Sequence, residues 1–274
     1  MDLDAFFVAV ECKKNPNLKG KPLIIGGSSR RGVVAACSYE TRMFGVHSAM
    51  PMYLALQLCP DAKVISGDVE SYSQASHDVT EIIAEEAPMF EKASIDEFYI
   101  DASGMDRFFG AFKWAVELRK KIMKESGLPI SLGMAVNKLV SKVVTGEFKP
   151  NGQQHIPAGT EQAFLAPLPI EKLPMVGKQT SSCLYGMGVR TVQTLREMPV
   201  QFLVSVFGKN GVSIWNKAHG IDLSPVVPHS EQKSISTECT FDSDTIDVKK
   251  LKTILIAMIE KVAFSLRDQK KLTS

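Results

Sequence analysis

The sequence predicts an α+β chain in which a sheet carrying packed helices leads into an all-helical region, and three observations support that prediction. Strand-like and helical runs alternate up to about residue 156. From 157 onward the runs become short helices separated by Pro and Gly. Near 225 to 233 the stretch "PVVPHSEQKS" has the proline and polar content of a linker, which marks a boundary before a last strand-like run and a last helix.

The elements follow in order. "AFFVAVE" reads as a helix, with Asp4 placed to cap it. "KPLIIGG", "RGVVAACS" and "AKVIS" have the β-branched bias of short strands. "SAMPMYLALQLC" and "ESYSQASHDVTEIIAEEA" have helical spacing, and a second strand group covers 90 to 101. Phe108, Phe112, Ala115 and Ile122 recur on one helical face in a helix that should stop at Gly127 and Pro129. "PISLGMAV" then reads as a strand and "NKLVSKVVTGEF" as a helix ended by Pro150. Two strand-helix-strand passes suggest a sheet with its helices on one face. In the last region "KSISTECTF" is strand-like, and Leu251, Leu255, Met258 and Val262 share a face of a helix. One strand and one helix bury each other poorly, so the chain is expected to stop inside a domain.

Composition narrows the functional classes. The 274 residues are 45% hydrophobic, enough for a sizeable core and two or more compact units. No apolar run approaches the roughly 18 residues of a membrane span, and "MDLDAFF" lacks the shape of a signal peptide, which predicts a cytoplasmic protein. Cys12, Cys37, Cys59, Cys183 and Cys239 show no C-x-x-C spacing, so neither a disulfide framework nor a zinc site is expected. The net charge of +2 gives no overall basic signature, and any anionic partner must be met at local sites.

The stretch "KASIDEFYIDASG" is the most pointed of these. Asp96 and Glu97 stand side by side in a strand-like, apolar setting. Neighbouring carboxylates in a partly desolvated site repel unless a cation, a hydrogen-bond network or a proton compensates them. Successive strand residues face opposite ways, so both acids can serve one site only if the chain turns there. Asp2 offers a third carboxylate, and a divalent metal is the sharpest candidate for the compensating charge. On spacing alone the pair is equally well read as a solvent-facing loop edge.

Other stretches suit phosphate. Tyr39 and Arg42, three apart behind a Ser38 N-cap, share a helix face and suit phosphate oxygens, although an ordinary exposed salt bridge accounts for the same spacing. Lys149 in "EFKPNG" sits where a helix must end, either complementing that end or holding an anion beside the acids. "LPMVGKQTSSCLYGMGV" resembles a helix-hairpin-helix, whose amides around Gly177 to Thr180, with Lys178, would meet a phosphate backbone. Met175 stands where such hairpins often have Gly.

Taken in order, "DLDAFFVAVE", "LKGKPLIIGG", "SYETRMFGVHSAMP", "ASIDEFYID", "VNKLVSKVVTGEFKPNG" and "LPMVGKQT" resemble the Y-family DNA polymerases, most closely their bacterial DNA polymerase IV branch. The resemblance implies a right-hand polymerase with a ferredoxin-like palm at 1–6 and 68–156 and small inserted fingers at 7–67. It also implies an all-helical thumb with a helix-hairpin-helix at 157–229 and a truncated little finger at 231–274. Family members usually have several strand residues before the position of Asp2, so the N-terminus looks clipped.

By the same resemblance Asp2, Asp96 and Glu97 would be the catalytic carboxylates, binding two Mg2+ ions with the Leu3 carbonyl as a further ligand. Phe6, Phe7, Tyr39, Arg42 and Lys149 would hold the incoming dNTP, and Phe7 would be the steric gate against a ribose 2′-hydroxyl. Gly177, Lys178 and Thr180 would contact DNA. Val33 and Ala35 would form a roof of small side chains over the nascent pair, an open site tolerant of damaged templates. The implied activity is magnesium-dependent, template-directed DNA synthesis of translesion type. The implied partners are primer-template DNA and dNTP, with a sliding clamp met through a region outside this sequence; the chain is expected to be a monomer. A non-catalytic DNA-binding accessory homologue is the alternative, and a nucleotidyl cyclase on a similar palm is a third class. The complete set of three acids counts against the former, and the hairpin against the latter.

Overall fold

The structure is a computed structural model and describes residues 1–27, 31–105, 110–228, 233–241 and 243–269. Contacts divide the chain into two compact units, Met1–Asn17 with Asp68–Pro228, and Leu18–Gly67 with His229–Ser274.

The first unit is built on a mixed sheet. Strand β1 (Asp2–Leu3) pairs antiparallel with β7 (Ile130–Met134), placing Asp2 opposite Ser131, and β7 pairs in parallel with β8 (Gln153–His155). The hairpin of β5 (Phe90–Lys92) and β6 (Phe98–Ile100) joins the other side of β1 through an antiparallel bridge between Asp2 and Glu97. Helix α1 (Phe6–Lys14) packs on α4 (Val69–Glu86), which packs on α5 (Ala111–Ser126). α5 buries Ala115, Leu118, Arg119 and Ile122, the i, i+3, i+4, i+7 set of one face, and ends where Gly127 adopts φ 70°, a left-handed C-cap that favours glycine. Phe108, expected on that helix, lies outside the described residues.

β7 buries Ile130, Ser131, Leu132 and Gly133 in succession, the pattern of a strand covered on both faces rather than on one. α5 packs on it, and so does α6 (Lys138–Glu147). The approach of α6 is close at Gly133, where a Cβ would stand 2.5 Å from the Ser141 carbonyl oxygen and 2.5 Å from the Thr145 nitrogen. α6 is capped by Asn137, whose side chain accepts from the Val140 N–H. Its outer face, Val140, Val143 and Val144, then enters a core with Leu165, Ile170, Leu184, Leu195, Leu203 and Ile214. That core is the centre of the helical region, made of α7 (Glu161–Leu165), α8 (Lys178–Gly186), α9 (Val192–Arg196), α10 (Val200–Phe207) and α11 (Lys209–Ala218). One amphipathic helix thus belongs to two layers, which is why contacts join the helical region to the sheet as one unit.

In the second unit β2 (Leu23–Gly26) lies between β3 (Val34–Cys37), antiparallel, and β4 (Lys63–Ile65), parallel. Helices α2 (Tyr39–Arg42) and α3 (Met52–Leu58) accompany this sheet, and Ile24, Val34, Cys37, Val46, Met52 and Ala55 form its core. Ser38 caps α2 as expected, accepting from the Thr41 N–H. The strand expected in "KSISTECTF" does not form among residues 233–241, because a strand needs a partner ladder and these residues find none there. α12 (Val248–Asp268) forms as the apolar spacing predicts, but none of its residues is buried. No described helix is long and apolar enough to cross a membrane.

Candidate active site

Asp2 and Glu97 face each other across the β1 bridge, and the chain turns at residues 94–96, as two useful neighbouring acids require. The Leu3 N–H donates to the Asp96 carbonyl oxygen at 3.0 Å, and the Phe98 N–H to that of Met1 at 2.9 Å, so β1 is hydrogen-bonded on both sides of the turn. The turn closes on itself, with the Ala93 and Ser94 N–H groups both reaching the Glu97 carbonyl. The Asp96 carboxylate accepts from the Ser94 hydroxyl at 2.6 Å.

Each of the other two acids is held by a lysine. The Lys142 ammonium donates to both Glu97 oxygens, at 2.6 and 2.5 Å, and the Tyr99 hydroxyl donates to Oε1 at 2.8 Å. Burial opposes ionisation of Glu97, but these hydrogen bonds outweigh it and hold the carboxyl below the ordinary glutamate value. The Tyr99 hydroxyl is pushed far upward by burial and by the carboxylate it serves. Lys149 donates to Asp2 Oδ1 and lies 3.3 Å from the Leu3 carbonyl oxygen. Asp2 nonetheless sits above the ordinary aspartate value, first because of burial, against which Lys149 works, and then because Asp96 and Glu97 repel its charge. Lys149 therefore stands beside the acids.

Asp4 does not cap α1. That position is taken by Ala5, with φ 43° and no side-chain cap, so α1 starts without a side-chain acceptor. The Asp4 carboxylate, 2% exposed, turns inward and accepts from the Ser131 hydroxyl and from the Asn151 N–H at 2.7 Å. The reason is register: with Asp2 opposite Ser131, Asp4 falls at the end of β7 beside the "KPNG" turn.

Among the described residues no three acidic, histidine or cysteine side chains converge closely enough to hold a metal between them. The donor set is nevertheless all oxygen: the Asp2, Asp96 and Glu97 carboxylates and the Leu3 carbonyl. That chemistry suits Mg2+, which commonly takes one or two carboxylates and completes its octahedron with water and substrate phosphate.

The two phenylalanines part company. Phe6 is buried in the core, whereas Phe7 is half-buried and stacks on Tyr72, with centroids 4.3 Å apart and an interplanar angle of 11°. A contact from Phe6 to a ligand would have to come from its backbone, where the first-turn amides of α1 have no acceptor within the helix. In the second unit Arg42 is exposed and its guanidinium lies 4.6 Å from the Tyr39 ring centroid, so the pair shares one face as the spacing predicts. Val33 and Ala35 are exposed. In the helical region Gly177 is the N-cap of α8, with Gly177 and Lys178 exposed and Thr180 half-buried in its first turn. Met175 just before it has φ 67° and is 90% exposed.

Sequence reasoning missed Lys142, Tyr99 and Arg119. For Lys142 a signal existed: Lys138 and Lys142, four apart in "NKLVSK", share a helix face, and in the structure they reach Glu91 and Glu97. Tyr99 follows Glu97 by two, on the same side of β6, where a strand residue can reach back to it.

Comparison with known proteins agrees with this architecture. Residues 1–146 match the impB/mucB/samB family, 171–222 the DNA polymerase-iota thumb domain and 232–274 the impB/mucB/samB family C-terminal domain. DNA polymerase IV of Dehalococcoides mccartyi is 42% identical over 275 residues, covering 100% of this chain and 70% of that protein. Among solved structures, a Y-family DNA polymerase chimera of Dbh and Dpo4 aligns with TM-score 0.84 and 29% identity, over 96% of this chain and 78% of that one. The insertion ternary complex of Dbh DNA polymerase aligns with TM-score 0.75 and 29% identity, over 82% and 67%. A family match over more than half the chain, with 42% identity to a relative across all of this chain and 70% of that protein, means that the chain belongs to the impB/mucB/samB family, the Y-family DNA polymerases.

Proposed function

We propose that the chain is a template-directed DNA polymerase of translesion type, which adds dNTPs to a primer 3′-hydroxyl with Asp2, Asp96 and Glu97 as its metal-binding carboxylates. The observation that carries this reading is the backbone bridge between Asp2 and Glu97, which brings acids far apart in sequence to one end of the sheet beside Lys142 and Lys149. Bound Mg2+ would supply Lewis-acid activation of the 3′-hydroxyl and charge stabilisation of the pyrophosphate leaving group.

The chain's own residues do the rest. Asp2, Asp96, Glu97 and the Leu3 carbonyl offer the oxygens. Lys149 meets the triphosphate beside the first-turn amides of α1 at Phe6 and Phe7, an arrangement suited to anions. Arg42 adds a forked cation for phosphate oxygens, and the Tyr39 hydroxyl, whose oxygen is buried, would join it on turning outward. Phe7, braced by Tyr72, presents a flat ring as the steric gate. The exposed amides after Gly177, with Lys178 and Thr180, hold the DNA backbone. Val33 and Ala35, exposed in the second unit, would offer only small side chains to the nascent pair. Primer-template DNA and dNTP are the partners, and a cytoplasmic monomer fits the family.

The test is primer extension on an undamaged primer-template with Mg2+ and all four dNTPs, beside an anisotropy titration of the same DNA. Extension by the unaltered chain is expected. Asp96→Ala and Glu97→Ala should each abolish addition while sparing DNA binding; synthesis retained in either would overturn the metal assignment.

A further inference from the structure

The turn that carries Lys149 is held by a buried cation that plays no part in the chemistry above. Arg119, on α5 and only 6% exposed, spreads its guanidinium between that turn and the strand ends beside it. Its Nε donates to the Ile130 carbonyl at 2.7 Å, Nη2 to the Asn151 carbonyl at 2.8 Å and to the Asn151 side chain, and Nη1 to Gln153 Oε1 at 3.2 Å. From the other side Asp4 accepts the Asn151 N–H at 2.7 Å, and Ser131, bonded to Asp4, accepts the Gly152 N–H at 3.2 Å. Asn151 itself has φ 53°, a left-handed conformation that its short polar side chain tolerates.

The turn itself is partly exposed, but its inner side rests on the buried Arg119, Asp4 and Ser131, where backbone groups facing inward must find partners, and a guanidinium with five fixed donors serves several at once. A buried charge is costly unless fully engaged, so the fork at this position implies a demand for fixed geometry. What the turn fixes is Lys149, whose ammonium lies between Asp2 and the Leu3 carbonyl. We infer that Arg119, acting through Asn151 with Asp4, is a positioning residue for nucleotide binding: it sets the place of the Lys149 ammonium and thereby the affinity for the triphosphate of the incoming nucleotide. This rests on the proposed role of Lys149.

The test is steady-state single-nucleotide incorporation by the full chain, combined in a double-mutant cycle. Arg119→Gln should raise KM for dNTP about tenfold, since a binding group displaced by a fraction of an ångström loses affinity steeply. The kcat and the primer-template Kd should change less than about twofold, a split that general loss of folded protein does not produce. Arg119→Lys, which supplies one nitrogen in place of the fork, should recover part of the loss. In a Lys149→Met background Arg119→Gln should add little further, because the two act on one contact. If Arg119→Gln does not fold, Asn151→Gly keeps the backbone conformation, removes only the side-chain link, and should raise KM about threefold with the same non-additivity. An unchanged KM in the variant that folds, or the same increase with and without Lys149, would overturn the inference. If Lys149→Met itself leaves KM unaltered, the role of Lys149 fails instead, and the two failures are told apart within one cycle.

Discussion

Replacing Lys142 with Met should reverse the sign of one component of the pH dependence of stability. Glu97 is 15% exposed at its side chain and Lys142 42%, so the pair lies between a surface ion pair, worth roughly 0.2–1 kcal/mol, and a buried one, whose rupture costs roughly 3–5 kcal/mol. A loss of about 2 kcal/mol at neutral pH is the midpoint. In the unaltered protein the Glu97 carboxyl titrates below its unfolded value. Between those two values the unfolded chain binds more protons, so stability rises with pH and the contribution is complete above the ordinary glutamate value. It is lost as pH falls through the folded value. Without Lys142, burial is opposed only by the Tyr99 hydrogen bond and the N-terminal ammonium, and the carboxyl is expected to rise above the unfolded value. Folded Glu97 then holds its proton longer than the unfolded chain does, and this group makes stability fall as pH rises through the new window. Urea denaturation of both proteins between about pH 3 and 7, which brackets ordinary carboxyl titration, reads the difference directly. The gap between the two proteins should widen from near zero at the acid end to its full value at neutrality. Curves that remain parallel across the range would refute the idea that Lys142 sets the ionisation of Glu97.

Three other outcomes can be checked independently. Phe7→Ala should raise ribonucleotide incorporation, measured as the ratio of rNTP to dNTP efficiency. Because the ring stacks on Tyr72, it should also cost about 1 kcal/mol beyond the loss of buried area; unchanged sugar discrimination would reject Phe7 as the gate. Gly133→Ala should destabilise the first unit by roughly 1–3 kcal/mol in urea melts, because a methyl 2.5 Å from α6 backbone atoms forces strand and helix apart. Lys178→Ala should weaken primer-template binding similarly for every sequence and lower the slope of log K against log salt by about 1, whereas an unchanged slope would remove Lys178 from the DNA contact.

Much of the fold was legible because its signals are local. The strands at β2, β3, β4 and β7 lie within runs rich in Val and Ile, α4, α5 and α6 follow apolar spacing, and α5 ends at Gly127 as expected; the caps at Asp68 and Asn137 are seen only in the structure. The strand expected in "KSISTECTF" failed because β propensity describes fit to a sheet, and no ladder exists at 233–241. Asp4 was misread for a related reason. An acid just before a helix is a sound local cap signal, but here the pairing of β1 with β7 turns the carboxylate toward Asn151, and pairing between residues 127 apart leaves no trace in a short window. The same limit hid Arg119. It sits on the apolar face of α5, where a sequence pattern would place an aliphatic side chain, and only the inward-facing acceptors of the turn at 149–152 and the adjoining strand ends explain its charge.

These misses have a common geometry that bears on how such a site is kept intact. The acids of the candidate site lie on elements too short to hold themselves: β1 has two residues, and Asp96 stands in a turn. Short strands of this kind are marginal alone, so their position must be imposed by neighbours that are rigid. Here α5 and α6 are those neighbours. From α6 comes Lys142 onto Glu97, and from α5 comes Arg119 onto the turn that brings Lys149 to Asp2. α6 is in turn fixed by its valines in the helical core. A cavity made there, by Val144→Ala for example, should therefore loosen the Lys142–Glu97 contact as well as the core. With a stability loss of about 1–3 kcal/mol in the range for removing buried methyls, the part of the pH dependence due to Glu97 should flatten in the same protein. If the cavity lowers stability by the same amount at every pH, the helical core and the acidic turn are mechanically independent, and the placement of the acids must then be credited to the β1 ladder alone.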